Sequence, residues 1–287
     1  MKILIINRFH HKNRSGIERI LKNTNYQYCF TNSLDNIENF DIIYVSDEPI
    51  DTSKHPTKKF LFGPHFSVLP NNKLNMINNV HNNCIYLQPS EWCVNLWKMY
   101  GVTKFLPIEK FPFPVDTDYF CSSNQMRTEV FLYHKRRDPK ELQYLKLFLE
   151  TKKIQYKFFD YNIKYNEKDY LDTLQKSKYG IILDAHESQG FAIEEALSCN
   201  VPLLVWNVKT LNQEYRCNYP HVPATSIGYW DRRCGEFFYE AQELETTFVK
   251  FLQNLHYYKP REFIMENLSL EPCTKNFVSL INSLNVQ

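Results

Sequence analysis

The sequence predicts an α/β protein made of two doubly wound, mostly parallel sheets, and three observations predict it. Strand-sized apolar runs alternate with amphipathic helical stretches along the whole chain. Its 287 residues exceed what one ordinary core organises, so two domains are expected. A proline-interrupted stretch at 111–120, Phe-Pro-Phe-Pro-Val-Asp-Thr-Asp-Tyr-Phe, can continue neither a central strand nor a helix and marks a linker. The expected division is an N-terminal Rossmann-like domain at 1–112, a linker at 113–125 and a C-terminal Rossmann-like domain at 126–287, whose last helix packs back on the first domain.

Composition narrows the function. A net charge of +2 with 23% charged residues carries no polyanion signal, so nucleic acid is not an expected partner. The eight cysteines form no C-x-x-C pair and read as free thiols of a reducing compartment. Ile3–Ile6 is too short for a signal segment or a membrane span, so a cytoplasmic location, at most peripheral to a membrane, is expected. Only seven glycines occur, far below the average of roughly 7%, so each one carries information.

In chain order, residues 2–7 read as a first strand, and Ser15 as the N-cap of a helix that starts at Gly16. Gly16 would then stand at a strand-to-helix turn, where open α/β sheets bind ligands; a plain helix-start glycine is the alternative. Further strands are expected at 26–31, 41–46, 59–63, 84–88 and 104–108, with a helix opening at Ser90 whose inner face carries Trp92, Leu96 and Trp97. His65 follows the Gly63-Pro64 turn at a strand's carboxyl end, within reach of a substrate hydroxyl or satisfied by backbone; His10 and His11 are weaker candidates.

In the second half, 129–134 reads as a strand and Asp138 as the cap of a long helix. Between them Lys135, Arg136 and Arg137, with Lys140 just beyond, concentrate positive charge at a strand's carboxyl end, which suits diphosphate recognition; a solvated basic loop is the alternative. A strand at 155–159 and a helix at 167–177 lead to 180–206, read as strand, loop, helix and strand. There Glu187 lies in the loop, Gly190 opens the helix, Glu195 lies within it and Asn200 is a left-handed C-cap residue. Extended character is expected again at 224–231, then helices at 237–256 and 274–284. Tyr229-Trp230-Asp231-Arg232 either closes over the site or packs between the domains, and the area that Trp and Tyr bury favours packing.

A helix N-terminus at a sheet's carboxyl edge offers amides and a positive dipole end to an anion. Two carboxylates beside it would face sugar or ribose hydroxyls instead, because like charges repel. The expected ligand is therefore a nucleotide sugar. Asp116-Thr117-Asp118 is a D-x-D string of the kind that holds a divalent metal on a diphosphate, but it follows prolines instead of a buried strand.

With those residues laid out, the chain resembles the retaining GT-B-fold glycosyltransferases of the family 4 type. Glu187, seven residues, Glu195, then Ala196-Leu-Ser-Cys-Asn-Val-Pro202 is similar to that family's Glu-x7-Glu signature. Pro114 to Phe120 resembles its interdomain stretch, Ser15-Gly16-Ile17-Glu18 a shortened form of its glycine-rich opening loop, and Lys135 with Lys140 its spaced cation pair. The chain departs from the pattern with lysine at 135 where arginine is usual, asparagine at 200 where glycine is usual, and a shortened N-terminal domain.

The resemblance implies two domains facing a cleft and transfer of a sugar from a nucleotide diphosphate sugar, UDP favoured over GDP, to a glycan or other hydroxyl acceptor. Retention of configuration, no metal and no other cofactor are implied as well. It assigns His65, Glu187 and Lys140 to catalysis and Gly16, Lys135, Arg136, Arg137, Gly190, Phe191 and Glu195 to donor binding. Glu194 is assigned to the scaffold. The alternatives are a catalytically degenerate nucleotide-sugar-binding subunit and a nucleotide-sugar epimerase of the same fold. A dinucleotide oxidoreductase is disfavoured because no G-x-G-x-x-G follows a strand.

Overall fold

The computed structural model describes residues 1–6, 8–47, 49–64, 67–70, 83–163 and 165–286. It divides the chain into two compact units, Met1–Pro114 with Leu270–Gln287, and Val115–Ser269. All eight cysteines are free, and no helix among the described residues is long and apolar enough to cross a membrane.

The first unit carries strands β1 (Lys2–Ile6), β2 (Gln27–Thr31), β3 (Ile42–Val45), β4 (Lys59–Phe62), β5 (Cys84–Gln88) and β6 (Ile108–Lys110). They pair in parallel in the order β2-β1-β3-β4-β5-β6. Its helices are α1 (His11–Lys22), α2 (Glu91–Met99) and α8 (Leu270–Val286), the last packed with α1. Near-continuous apolar strands such as Ile42–Val45, buried at every position, are what a parallel sheet covered on both faces requires. Leu4, Ile6, Ile43, Val45, Phe60 and Phe62 alternate onto one face, where Val94 and Trp97 of α2 cover them.

Helix α1 begins earlier than expected. His10 is its N-cap, its Nδ1 accepting from the Lys12 amide at 3.4 Å, so Ser15 and Gly16 lie inside the helix and not at its start. A Cβ on Gly16 would come 3.0 Å from Cβ of Phe113 and 3.3 Å from Cδ of Pro114, so the glycine permits close packing of α1 on the 111–114 stretch. Arg19 of α1 reinforces that contact, donating to the Pro114 carbonyl at 2.6 Å. The strand expected at 104–108 is a short 3-10 turn at Val102–Lys104 followed by β6.

The second unit carries β7 (Glu129–Lys135), β8 (Lys157–Asp160), β9 (Ser177–Asp184), β10 (Leu203–Trp206) and β11 (Gly235–Phe238). They are parallel in the order β11-β10-β9-β7-β8. The helices are α3 (Pro139–Thr151), α4 (Glu167–Lys176), α5 (Phe191–Ser198), α6 (Leu244–Gln253) and α7 (Pro260–Asn267). Side chains alternate along the strands. Phe131, Tyr133, Ile182, Leu203 and Val205 bury one face against α4, α5 and α7, and Val130, Leu132, Ile181, Leu183 and Leu204 bury the other against α3 and α6.

Two stretches differ from expectation. Residues 224–231 form no strand, and the strand is β11 instead, because Gly235 at φ +136° lets the backbone lie against Leu203 where a Cβ would collide with its carbonyl. The helix expected from 237 therefore starts at Leu244, and α7, with Pro260 at its first turn, was not anticipated. Asn200 takes the left-handed conformation expected of it, at φ +59°.

Candidate functional site

The strand order of the second sheet reverses between β7 and β9, which lead away to β8 on one side and to β10 and β11 on the other. In open α/β sheets ligands bind beyond the carboxyl ends of strands at such a switch point. Here the two carboxyl ends are Lys135 and Asp184, which face each other in the strand register. The loop after β9 adds Glu187, and the ammonium of Lys135 donates to its Oε1.

Burial sets the charges of this group. Glu187 and Lys135 keep only 15% and 11% of their side-chain surface exposed. Burial by itself would raise the Glu187 carboxyl, but the Lys135 charge and hydrogen bonding to Asp184 and Lys135 hold it below the usual carboxylate range. Burial would lower the Lys135 ammonium, and the opposing pull of Glu187 and Asp184 raises it. Asp184, 1% exposed, is pushed well above the usual range by burial and by the neighbouring Glu187 charge. The cluster thus brings one ammonium to two buried carboxyl groups.

Arg136, next in the chain, is the exposed cation of the group. Its backbone is left-handed at φ +53°, an uncommon conformation for a side chain of that size, and its carbonyl accepts from the Tyr215 amide at 2.9 Å. Its guanidinium lies 3.5 Å from Oε1 of Glu214, and Glu214 Oε2 lies 3.2 Å from Nδ1 of His186. Burial lowers the His186 pKa against the pull of Glu214 and Glu187. The Tyr161 ring, at the end of β8, flanks both cations, with Lys135 Nζ 4.4 Å and the Arg136 guanidinium 5.6 Å from its centroid.

Arg137 faces inward. It is 1% exposed, and its Nε and Nη2 donate to both oxygens of Glu141 at 2.8 and 2.6 Å. Its Nη1 donates to the carbonyls of Asp184 and Trp206 at 3.2 and 3.0 Å. One guanidinium therefore ties the carboxyl ends of β9 and β10 to α3. Lys140, in the first turn of α3, is exposed, and its amide is capped by Asp138 at 2.8 Å.

Helix α5 starts at Phe191 behind Gly190, whose φ of +98° places it where L side chains are strained. A Cβ there would also come 3.3 Å from Cβ of Glu187, so the glycine brings the helix N-terminus close beside that carboxylate. The first-turn amides of the helix have no acceptor within it. Ser226 and Asn207 hold the facing loop: Ser226 Oγ donates to the Asp184 carbonyl at 2.9 Å, and Asn207 Oδ1 accepts from the Ser226 amide at 2.8 Å. Tyr229 and Trp230 pack on the core of the second unit.

The two helical glutamates differ. Glu194 is buried, accepts from Nε2 of Gln189 at 3.0 Å, and is pushed well above the usual carboxylate range by burial. Glu195 is also buried, with Tyr170 of α4 and Cys199 among its electrostatic neighbours. In the linker, Asp116 Oδ1 accepts from the Tyr119 amide at 3.1 Å, a local turn contact.

Of the residues singled out from sequence, Lys135, Arg136, Glu187 and Gly190 meet at one sheet edge, and Lys140 stands at the same edge on the following helix. Gly16 belongs to the first unit, and His65 lies outside the described residues. Sequence reasoning missed Asp184, whose only signal was a carboxylate ending the apolar run Ile181-Ile182-Leu183.

No protein-family model matches the chain, and comparison with curated proteins finds no relative. Solved structures do match it. The apo form of the lipopolysaccharide outer core galactosyltransferase WaaB superimposes with a TM-score of 0.57 at 13% identity, over 99% of each chain. The N-terminal domain of Candida albicans trehalose-6-phosphate phosphatase does so with 0.59 at 10% identity, over 99% of this chain and 97% of that one. The pneumococcal O-GlcNAc transferase GtfA, solved with UDP and GlcNAc, gives 0.52 at 11% identity, over 86% of this chain and 57% of that one. At these identities the likeness shows the fold, the two-sheet GT-B class that the sequence led us to expect.

Proposed function

We propose that the chain is a glycosyltransferase that moves a sugar from a nucleoside diphosphate sugar, UDP-linked in preference to GDP-linked, to an acceptor hydroxyl with retention and without a metal. The observation that carries this reading is the meeting of Lys135, Arg136, Glu187 and the Gly190-led helix N-terminus at the switch point of the second sheet. Solved structures of the same fold, a galactosyltransferase and an O-GlcNAc transferase, support it, and the UDP bound to the second supports a uridine donor.

In this scheme the diphosphate lies against Arg136, Lys140 and the first-turn amides at Gly190 and Phe191, with Lys135 shared between it and Glu187. Arg137 positions the strand ends from beneath. Glu187 faces the transferred sugar and Glu195 takes the ribose diol. The bond from the anomeric carbon to the distal phosphate oxygen breaks, with its electron pair going to that oxygen. The acceptor oxygen bonds to the same face of the carbon, and its proton passes to the leaving phosphate. Negative charge grows on the phosphate as the bond breaks, so the cations and amides stabilise the transition state more than the ground state.

The test is transfer itself. The purified chain, incubated with UDP- and GDP-sugars and a panel of hydroxyl acceptors, should form a product whose anomeric configuration by NMR matches that of the donor, at a rate unchanged by EDTA. Glu187→Ala and Lys140→Ala should each lower turnover by roughly a hundredfold, the range of losing one charged group that acts at the transition state. Undiminished turnover in both variants, or an absolute need for a divalent metal, would sink the scheme.

A second reading is a nucleotide-sugar-binding module that does not turn over. It is favoured by the equally complete likeness to the N-terminal domain of trehalose-6-phosphate phosphatase. It predicts saturable nucleotide binding with no transfer across the whole donor and acceptor panel.

A further inference from the structure

Asp184 has no part in the scheme above, yet it is 1% exposed, as buried as Arg137. Its Oδ1 accepts from the Ala185 amide at 2.7 Å, and its backbone carbonyl is taken by Arg137 and Ser226. Its Oδ2 is buried and meets no donor, and the side chain that engages it is Glu187, itself a carboxylate. Two adjacent carboxylates served by the single ammonium of Lys135 would leave an uncompensated buried negative charge, which the interior penalises heavily. A proton on Oδ2 removes that charge and turns a repulsive contact into an O–H donor to a carboxylate, among the stronger hydrogen bonds available.

We propose that Asp184 is a positioning acid: it stays protonated and donates to Glu187, holding that carboxylate ionised, on Lys135 and oriented toward the transferred sugar. The inference rests on the reading of Glu187 as the group beside the sugar. Glu187 and Lys135 face the acid from the loop after β9 and from the end of β7, Tyr133 lies along β7 beside it, and Arg136 lies beyond the strand end. The deeply buried Tyr133 phenol is pushed upward by its burial, so it stays neutral and offers no compensating charge. Lys135, Arg136 and the His186 imidazole are the basic groups facing the pair, the buried Glu194 carboxyl lies near Glu187, and Lys135 donates to Glu187. The position also has a directional logic. As the last residue of β9, opposite Lys135, Asp184 approaches Glu187 from the strand side while the lysine approaches from β7, so the carboxylate is held from two directions.

The test combines a spectroscopic and a kinetic arm on the full chain. In the infrared difference between wild type and Asp184→Asn at neutral pH, the carbonyl band of a protonated carboxyl should be lost with the side chain. Glu194→Gln, which removes the other buried acid, supplies the reference band. This arm needs no substrate, so it stands even if no sugar is transferred. In the kinetic arm Asp184→Ala should lower kcat by roughly ten- to a hundredfold, the range for losing a hydrogen bond to a charged group, with little change in KM for the donor. Asp184→Asn, whose amide still donates, should recover most of that loss and should lack any fall in kcat with rising pH that ionisation of Asp184 gives the wild type. A difference spectrum holding only carboxylate bands overturns the proposal, and so does an Asp184→Ala variant that turns over like wild type. A positive spectrum without transfer by any variant would instead overturn the glycosyltransferase reading and leave the acid pair standing.

Discussion

The ammonium of Lys135 donates to the Glu187 carboxylate at the place where the strand order of the second sheet reverses. Each is the other's largest charged neighbour, so each is the other's main compensation for burial. Lys135→Met should therefore destabilise the second unit by about 3 kcal/mol, the lower part of the range for leaving a buried charge unpaired, because both side chains keep some solvent contact. Adding Glu187→Gln should restore part of that loss. Urea denaturation of the two single variants and the double variant gives the coupling, and a coupling near zero would contradict the pairing.

Arg137 is expected to act on stability far more than on nucleotide affinity. Arg137→Met removes four hydrogen bonds, strips Glu141 and the Trp206 carbonyl of this donor and leaves the Asp184 carbonyl to Ser226 alone, a loss of about 3–5 kcal/mol. Arg137→Lys should fare little better, since an ammonium cannot reproduce the planar fork. Equilibrium denaturation reads this directly. A variant as stable as wild type but with much weaker UDP binding would place the side chain at the ligand instead.

Glu194 gives a pH signature. Its pKa is raised in the folded chain, so between the usual carboxylate range and that raised value the folded state binds one proton more than the unfolded state. Stability of the wild type then falls as pH rises, by up to about 1.4 kcal/mol per unit for a single group. Glu194→Gln cannot titrate and keeps an acceptor for Gln189. Its advantage over wild type should be absent near pH 4 and grow toward pH 8 in thermal melts; a constant offset across that window would contradict a neutral Glu194.

Gly190→Ala tests the geometry at the start of α5. A side chain at φ +98° is strained by about 1–2 kcal/mol, and the added Cβ presses on Glu187. The variant should be less stable by that amount and should lose more turnover than stability, because the carboxylate is displaced. Equal activity per folded molecule would show that Glu187 and the helix start are not coupled.

Much of this was legible in the sequence where local signals and tertiary demands coincide. The apolar runs of β9 and β10, Gly190 ahead of α5 and Asn200 behind it each carry a reason that needs no partner from elsewhere. The start of α1 was not legible, because histidine is a poor capping residue and Ser15 is a good one, yet His10 caps the helix. β11 depends on how closely Gly235 approaches Leu203, a contact that no local pattern encodes. The basic run at 135–137 looked uniform, and what separates its members is which way each side chain turns. Glu141, one helical turn from Arg137, was the available sign that this arginine turns inward. Asp184 was invisible for the same reason: its significance comes from Lys135, delivered by a strand distant in sequence.

The central claim, a nucleoside diphosphate held at the carboxyl edge of the second sheet, is tested most directly by calorimetric titration of UDP into the full chain and into its Arg136→Ala and Lys140→Ala variants. Saturable binding by wild type and a loss of at least tenfold in each variant, about 1.4 kcal/mol or more, are expected for a charge-assisted contact. Binding of equal strength in all three proteins, or no heat with UDP, GDP and ADP alike, would contradict it.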